Sequence, residues 1–271
     1  MRESKLKRFL RTIKYRLILK LKPRKNRVYT QFYRFPNQYV AIVDRVIPEL
    51  LQSPSFHDDN VIEIVIFACC NGAEAFTLSH LLKSKFPNLK FRIRGFDIVP
   101  EVISQAQTQK YSRDEVYCGP FVTEEFVAET FDKIDNNEYV IKPEIAAPVQ
   151  FAVGDMLDKP FMNSLGKVDL LFAQNVLFHL PPAKSKEAFA NLVDLLKPGS
   201  TLFINGMDTD MRIKLTKRYG LAPLEYLIEE IHNDARVDRG AGWAGAYWGR
   251  EPFSRSTKEW VRKHCTIFSL R

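Results

Sequence analysis

Ile62-Glu63-Ile64-Val65-Ile66-Phe67-Ala68-Cys69-Cys70-Asn71-Gly72-Ala73-Glu74-Ala75-Phe76 decides how this chain is read. A β-branched, largely apolar run makes a buried strand, small residues make a tight turn, and a helix begins near Glu74. A second apolar run, Phe91-Arg92-Ile93-Arg94-Gly95-Phe96, ends in an acid, Asp97. Strand, glycine turn, helix, strand and acid form the layout of a doubly wound nucleotide site. There the second-strand carboxylate accepts from both hydroxyls of a ribose. A single glycine is too few for a pyrophosphate cradle, so the pattern points to an adenosine ligand without phosphates. A plain βαβ unit whose Asp97 caps the next helix has the same letters.

The rest of the chain separates these readings. Gln150-Phe151-Ala152-Val153 leads into Gly154-Asp155-Met156-Leu157, and Val168-Asp169-Leu170-Leu171-Phe172-Ala173 into Gln174-Asn175-Val176-Leu177-Phe178-His179-Leu180. After a helix of good formers, Leu195-Leu196-Lys197-Pro198-Gly199-Ser200-Thr201-Leu202-Phe203-Ile204-Asn205 reads as a helix stop, a turn and a fifth strand. Five segments then resemble, in order, the class I methyltransferases of the chemotaxis-receptor (CheR) type. Thr30-Gln31-Phe32-Tyr33-Arg34 is similar to the family's T-x-F-F-R, and Asn71-Gly72-Ala73-Glu74-Ala75-Phe76 to its T-G-E-E-P-Y. The segment from Asp97 to Tyr111 resembles its D-I-…-A-…-Y stretch. Tyr139-Val140-Ile141-Lys142-Pro143-Glu144 resembles the stretch before the fourth strand, and Asn175 to Leu180 stands where the family has R-N-V-L-I-Y-F. The resemblance implies an α/β, Rossmann-like class I methyltransferase fold. Its sheet is expected to be seven-stranded and mostly parallel, with helices on both faces and an antiparallel last strand. The implied cofactor is S-adenosylmethionine.

Charge separates the chain into two parts. The net charge is +8, yet residues 1–27 hold twelve Lys/Arg against one Glu, and the other 28 bases and 31 acids leave −3. A body built for nucleic acid normally carries its own basic face, so this split counts against a nucleic-acid enzyme. Within the arm, residues 1–22 read as a basic helix striped by Leu6, Phe9, Leu10, Ile13, Leu17 and Leu21. Docking on the chain's own domain and lying on an anionic membrane or protein surface both fit. Cys69, Cys70, Cys118 and Cys265 include no C-x-x-C pair and no histidine at zinc spacing, so no metal is expected. Free thiols and the absence of a secretory signal point to a cytoplasmic protein, peripheral at a membrane if the arm binds one.

The expected organisation is the arm 1–27 and a methyltransferase domain 28–271. Within that domain lie an inserted subregion at 112–148 and an extended aromatic region at 206–271. A helix is expected from about Asn37 to Leu51, another near Leu221–His232, and a closing strand at Cys265–Leu270. In place of the family's N-terminal helical domain stands the basic arm, and the tail is longer and richer in aromatics. Trp243, Tyr247, Trp248 and Phe253 read either as a lid over an acceptor pocket or as anchors packing on the body.

Cofactor contacts are expected from Cys69, Asn71, Gly72, Glu74, Asp97, Ile98, Asp155, Met156, Asn175 and Val176. Asp97 would take the ribose, Asp155 the adenine amino group, and Asn175 the methionine part through its backbone. Two catalytic positions are expected. The resemblance puts Arg34 near the transferring methyl, where a guanidinium orients a carboxylate by paired hydrogen bonds. His179 stands where the family has tyrosine and completes the N-V-L-x-H-L pattern of many small-molecule methyltransferases. Imidazole titrates near neutrality and accepts a proton from a hydroxyl acceptor. The expected function is O-methylation of a small-molecule or peptide acceptor. A protein-glutamate methyltransferase and a non-catalytic cofactor-binding scaffold are the alternatives.

Overall fold

The computed structural model describes residues 30–53, 56, 61–237 and 253–270. The basic arm and the Gly/Trp-rich segment with Trp243, Tyr247 and Trp248 lie outside these residues.

Among the described residues ten strands follow in order: β1 (Ile62–Phe67), β2 (Phe91–Asp97), β3 (Lys110–Ser112), β4 (Phe131–Lys133), β5 (Glu138–Ile141), β6 (Val149–Val153), β7 (Val168–Ala173), β8 (Leu196–Ile204), β9 (Leu221–Pro223) and β10 (Ile267–Leu270). Seven of them make the main sheet in the order β6-β2-β1-β7-β8-β10-β9. The pairs from β6 through β8 are parallel, and β10 runs antiparallel to both β8 and β9. β1 and β7 are buried almost throughout, as continuous apolar runs must be when helices cover both faces. The two-residue period of β1 divides the core. Ile62, Ile64 and Ile66 pack on the face of the helices around residues 36–51 and Ala73–Lys85. Val65 and Phe67 pack on the face of Pro182–Val193 and Thr209–Arg218. This is the expected seven-stranded Rossmann-like sheet.

The inserted subregion carries structure of its own. Between β2 and β6, strands β3, β5 and β4 form a small antiparallel sheet in the order β3-β5-β4. Ser112 and Thr123 cap the short helices Arg113–Val116 and Glu124–Thr130. Phe32 fastens this lobe to the start of the domain, with ring centroids 5.0 Å from Tyr111, 5.1 Å from Phe131 and 6.0 Å from Phe126. Anchored this way, Phe32 fixes the backbone that presents Arg34.

Two segments differ from the sequence reading. The helix expected from Asn37 forms as Pro36–Ala41 and Ile47–Leu51, joined by a π-helical turn at Ile42–Val46. The wider turn precedes Pro48, whose ring would otherwise crowd the carbonyl of Asp44. The helix expected near Leu221–His232 is corrected to a strand, β9, followed by the helix Ile228–Val237. β10 supplies the pairing partner that a local pattern cannot reveal. Pro223 is tolerated because β9 is an edge strand. Among the described residues, no helix is long and apolar enough to cross a membrane.

Phe32→Ala is expected to cost about 3–5 kcal/mol in denaturant unfolding and Phe32→Leu clearly less. Equal losses for the two would show that ring packing does not hold the lobe.

Candidate active site

Strand register gathers the site at one edge of the sheet. Phe67 of β1 lies level with Phe96 and Ala173, Asp97 with Val153, and Ala173 with Ile204. The residues following these strands therefore emerge together at the carboxyl edge. The strand order reverses between β1 and β7, and that reversal opens the crevice where doubly wound sheets bind ligands.

The turn after β1 is strained. Ala68, Cys70 and Gly72 all have left-handed backbones, with φ of 55°, 54° and 87°. Each non-glycine residue in that region costs on the order of 1 kcal/mol. Hydrogen bonds offset the cost: Cys69 N–H donates to Phe96 O at 3.1 Å, Gly72 N–H to Cys69 O at 3.0 Å, and the Tyr111 hydroxyl to Asn71 O. Cys70 N–H donates to Asp97 Oδ2 at 3.1 Å, while Asp97 Oδ1 accepts from Val99 N–H at 3.1 Å. Asp97 is only 8% exposed. A side chain at Gly72 would meet the Phe151 ring at 2.6 Å, so this position requires glycine. Burial pushes the Cys69 thiol far up and the Cys70 thiol up to about 12, which leaves both as packing groups.

Glu74 lies in the first turn of Ala73–Lys85, where a carboxylate complements the helix dipole. Gln174, directly after β7, donates its Nε2 both to Glu74 Oε1 at 2.6 Å and to Gln38 Oε1 at 2.8 Å. Burial raises the Glu74 carboxyl above its ordinary range, while the Gln174 bond and the charge of Arg34 pull it down. The Arg34 charge also acts on Cys70. The sequence-expected arginine is therefore electrostatically coupled to the turn and the helix that follow β1.

On the other flank, Asn175 adopts φ 52° and donates its N–H to Asn205 O at 3.0 Å. The 3₁₀ turn Leu177–His179 follows, with Phe178 N–H held by Gly206 O at 2.8 Å. Gly206, at φ 67°, leaves room for this approach, because a Cβ there would lie 2.5 Å from Asn175 Cα. His179 is exposed on that turn, its ring centroid 4.0 Å from that of Phe178. Asp155 is exposed and accepts from Leu157 N–H at 2.8 Å. Val176 is half-buried against the second core.

Not every expected contact brings its side chain to the edge. Cys69 and Met156 are buried in the core, and the Met156 carbonyl accepts from Asn191 Nδ2 at 2.9 Å. Phe253 packs among His232, Trp260 and His264, which makes it an anchor on the body. Sequence reasoning missed Gln174, Gln38 and Phe151. Gln174 alone had a signal, as it stands where the R of R-N-V-L-I-Y-F would fall.

Two features fit a nucleoside amino acid at this edge. Ile98 and Val153 are 65% and 51% exposed at the ends of β2 and β6, offering apolar surface to a flat base. Gln174 Oε1 and Asn175 Nδ2 are buried without a hydrogen-bond partner among the described residues. Such atoms are costly unless a ligand satisfies them.

A class I methyltransferase sheet with an acid at the end of β2 and a glycine turn after β1 is what this geometry defines. The model of the CheR methyltransferase SAM-binding domain matches residues 28–225, and the chain belongs to that family. The domain is thus an S-adenosylmethionine-dependent methyltransferase domain. Chemotaxis protein methyltransferase 1 of Pseudomonas aeruginosa is 26% identical over 185 residues, covering 66% of this chain and 65% of its own length. Chemotaxis protein methyltransferase Cher2 of Pseudomonas putida is 24% identical with the same coverage. The chemotaxis protein methyltransferase of Listeria innocua is 24% identical over 71% of this chain and 68% of its own. The chain thus spans about two thirds (65%) of the length of the two Pseudomonas relatives.

The raised carboxyl of Glu74 makes a prediction about pH. The folded protein holds this proton more tightly than the unfolded chain does. Ionised Glu74 therefore subtracts from stability once pH rises past the ordinary glutamate value of about 4.3. Without cofactor, Glu74→Gln is expected to melt above wild type at neutral pH and to lose that advantage as pH falls toward about 4. A pH-independent offset in thermal melts would assign the cost elsewhere.

Proposed function

We propose that the protein transfers a methyl group from S-adenosylmethionine to an oxygen nucleophile on a small-molecule or peptide acceptor. The observation that carries this reading is the exposed imidazole of His179, on the turn directly after Asn175 at the carboxyl edge. When bound, the cofactor supplies an electrophilic methyl on a sulfonium. Asp97 would hold its ribose and Ile98 its base, with Asp155 and the backbone at Met156 at the adenine edge. The Asn71-Gly72 turn, Glu74, Asn175 and Val176 would surround its amino-acid end. His179 takes the acceptor's proton, Arg34 orients the acceptor, and the walls of the crevice hold the two reactants in line.

Carboxylate methylation is the second reading. It is favoured by the relatives, which are named chemotaxis protein methyltransferases. Carboxylates are already ionised at neutral pH, so that chemistry needs Arg34 and has no use for a base at His179. A scaffold that binds the cofactor without transferring its methyl is the third. In each reading residues 1–22 serve as a basic tether to an anionic membrane or protein surface, with nucleic acid disfavoured by the −3 body.

Asp97→Asn keeps one oxygen acceptor, for either Cys70 or Val99, and loses the other together with the charge. Calorimetry is expected to show S-adenosylmethionine binding at least tenfold weaker, about 1.4 kcal/mol or more. Unchanged affinity in a folded variant would remove Asp97 from the cofactor site.

On a hydroxyl acceptor, a histidine base gives a rate that rises through about pH 6–7. His179→Ala should then lower kcat by roughly 10²–10⁴ and leave cofactor affinity unchanged. A flat wild-type profile with an active variant would return the protein to carboxyl methylation.

A further inference from the structure

We propose that the cleft between the helices Pro182–Val193 and Thr209–Arg218 binds an anionic group, phosphoryl or carboxylate, carried by the methyl acceptor. The cleft encloses about 360 Å³, room for such a fragment. Lys186 lines one wall and Lys214 and Arg218 the other, over an apolar floor of Met211 and Leu215.

The two lysines of this cleft are not held in ion pairs as their neighbours are. On the same two helices, Lys184 pairs with Glu187 at 2.9 Å and Lys217 with Glu259 at 2.6 Å. Lys186 and Lys214 form no ion pair among the described residues, and the Arg218 guanidinium lies over the Tyr219 ring, 5.7 Å from its centroid. Two acids, Asp208 and Asp210, also reach the cleft at its upper end. Asp208 Oδ1 accepts from Met211 N–H at 2.9 Å as a helix cap, and Asp210 sits in the first turn, where it complements the dipole. Lys214 and Arg218 lie one turn apart on one helix face, and like charges at that spacing repel. An anion between them and Lys186 relieves that repulsion. General basicity does not explain the cluster, since the chain beyond residue 27 is net negative.

Position links the cleft to the reaction. Asp208 follows two residues after Gly206, whose carbonyl holds the Phe178 turn, and the helix bearing Lys186 starts three residues after His179. From there the cleft follows a helix of ten residues, about 15 Å long. An acceptor with its hydroxyl at His179 would carry its anion roughly that far from the reacting oxygen. This inference rests on the acceptor reading above. It makes the cleft a specificity element, affecting KM more than kcat.

The test uses the full chain with ¹³C-methyl methionine, bound to S-adenosylhomocysteine and titrated with pyrophosphate and, separately, succinate. Met211 is the local reporter, so binding by the basic arm does not interfere. The expected result is a saturable, salt-sensitive shift of the Met211 methyl with at least one of the two probes. In Lys186→Gln/Lys214→Gln/Arg218→Gln it should need at least tenfold more ligand, with S-adenosylhomocysteine affinity unchanged. The single variant Lys186→Gln, altered only at an exposed side chain, should show a smaller weakening in the same direction. A silent Met211, or a triple variant that binds both probes like wild type, overturns the proposal. Loss of S-adenosylhomocysteine binding in the wild type would instead overturn the functional reading, and the same titration of the ligand-free protein would still decide the cleft.

Discussion

The carboxylate of Asp97 closes the arrangement on which the site depends. One oxygen holds the N–H of Cys70 and the other that of Val99, so the strained turn after β1 is tied to the end of β2. Without that tie, left-handed Ala68 and Cys70 would relax toward ordinary backbone, and the helix bearing Glu74 would lose its fixed start. The backbone cost is met by bonds from a neighbouring strand, and this is how a sheet edge keeps a turn in a sparsely populated conformation.

A second set of constraints runs through buried and half-buried side chains. Glu74 accepts from Gln174, Gln174 donates also to Gln38, and Gln38 donates to Thr266 at 2.9 Å. One residue earlier, Asn37 gives its backbone and side-chain N–H groups to Asp234 at 2.8 and 2.7 Å. Elements far apart in sequence are thus tied to the crevice by one polar chain, with a second polar pair beside it. Such networks are rigid when satisfied and costly when broken. Burial raises the carboxyls of both Glu74 and Asp234, so charge on either one is held against its solvation preference.

Much of this was legible in the letters. β1, its turn and Asp97 announce themselves by local pattern, because apolar runs and a glycine turn are short-range signals. Five segments in family order extended that pattern over the sheet. What stayed hidden depends on distance. β9 is three residues long and includes a proline, and only its pairing with β10 makes it a strand. Gln38 and Thr266 are separated by 228 positions, and no periodicity marks such a bond. Cys69 and Met156 were read as ligand contacts because they flank the right turns. Which way a side chain faces from a turn, however, is settled by packing.

The position of β10 has a consequence for how the protein is made. It sits inside the sheet, between β8 and β9, although both of those strands are synthesised earlier. Until residues 267–270 emerge, β8 carries an open edge and β9 has no neighbour. At about 5–20 residues per second, the stretch from Pro223 to Ile267 keeps the ribosome occupied for roughly 2–9 s. During that interval an apolar strand offers unpaired backbone to any passing chain. Completion of this sheet therefore lags behind the synthesis of β8 and β9, and those two strands are most exposed to misassociation just before β10 arrives.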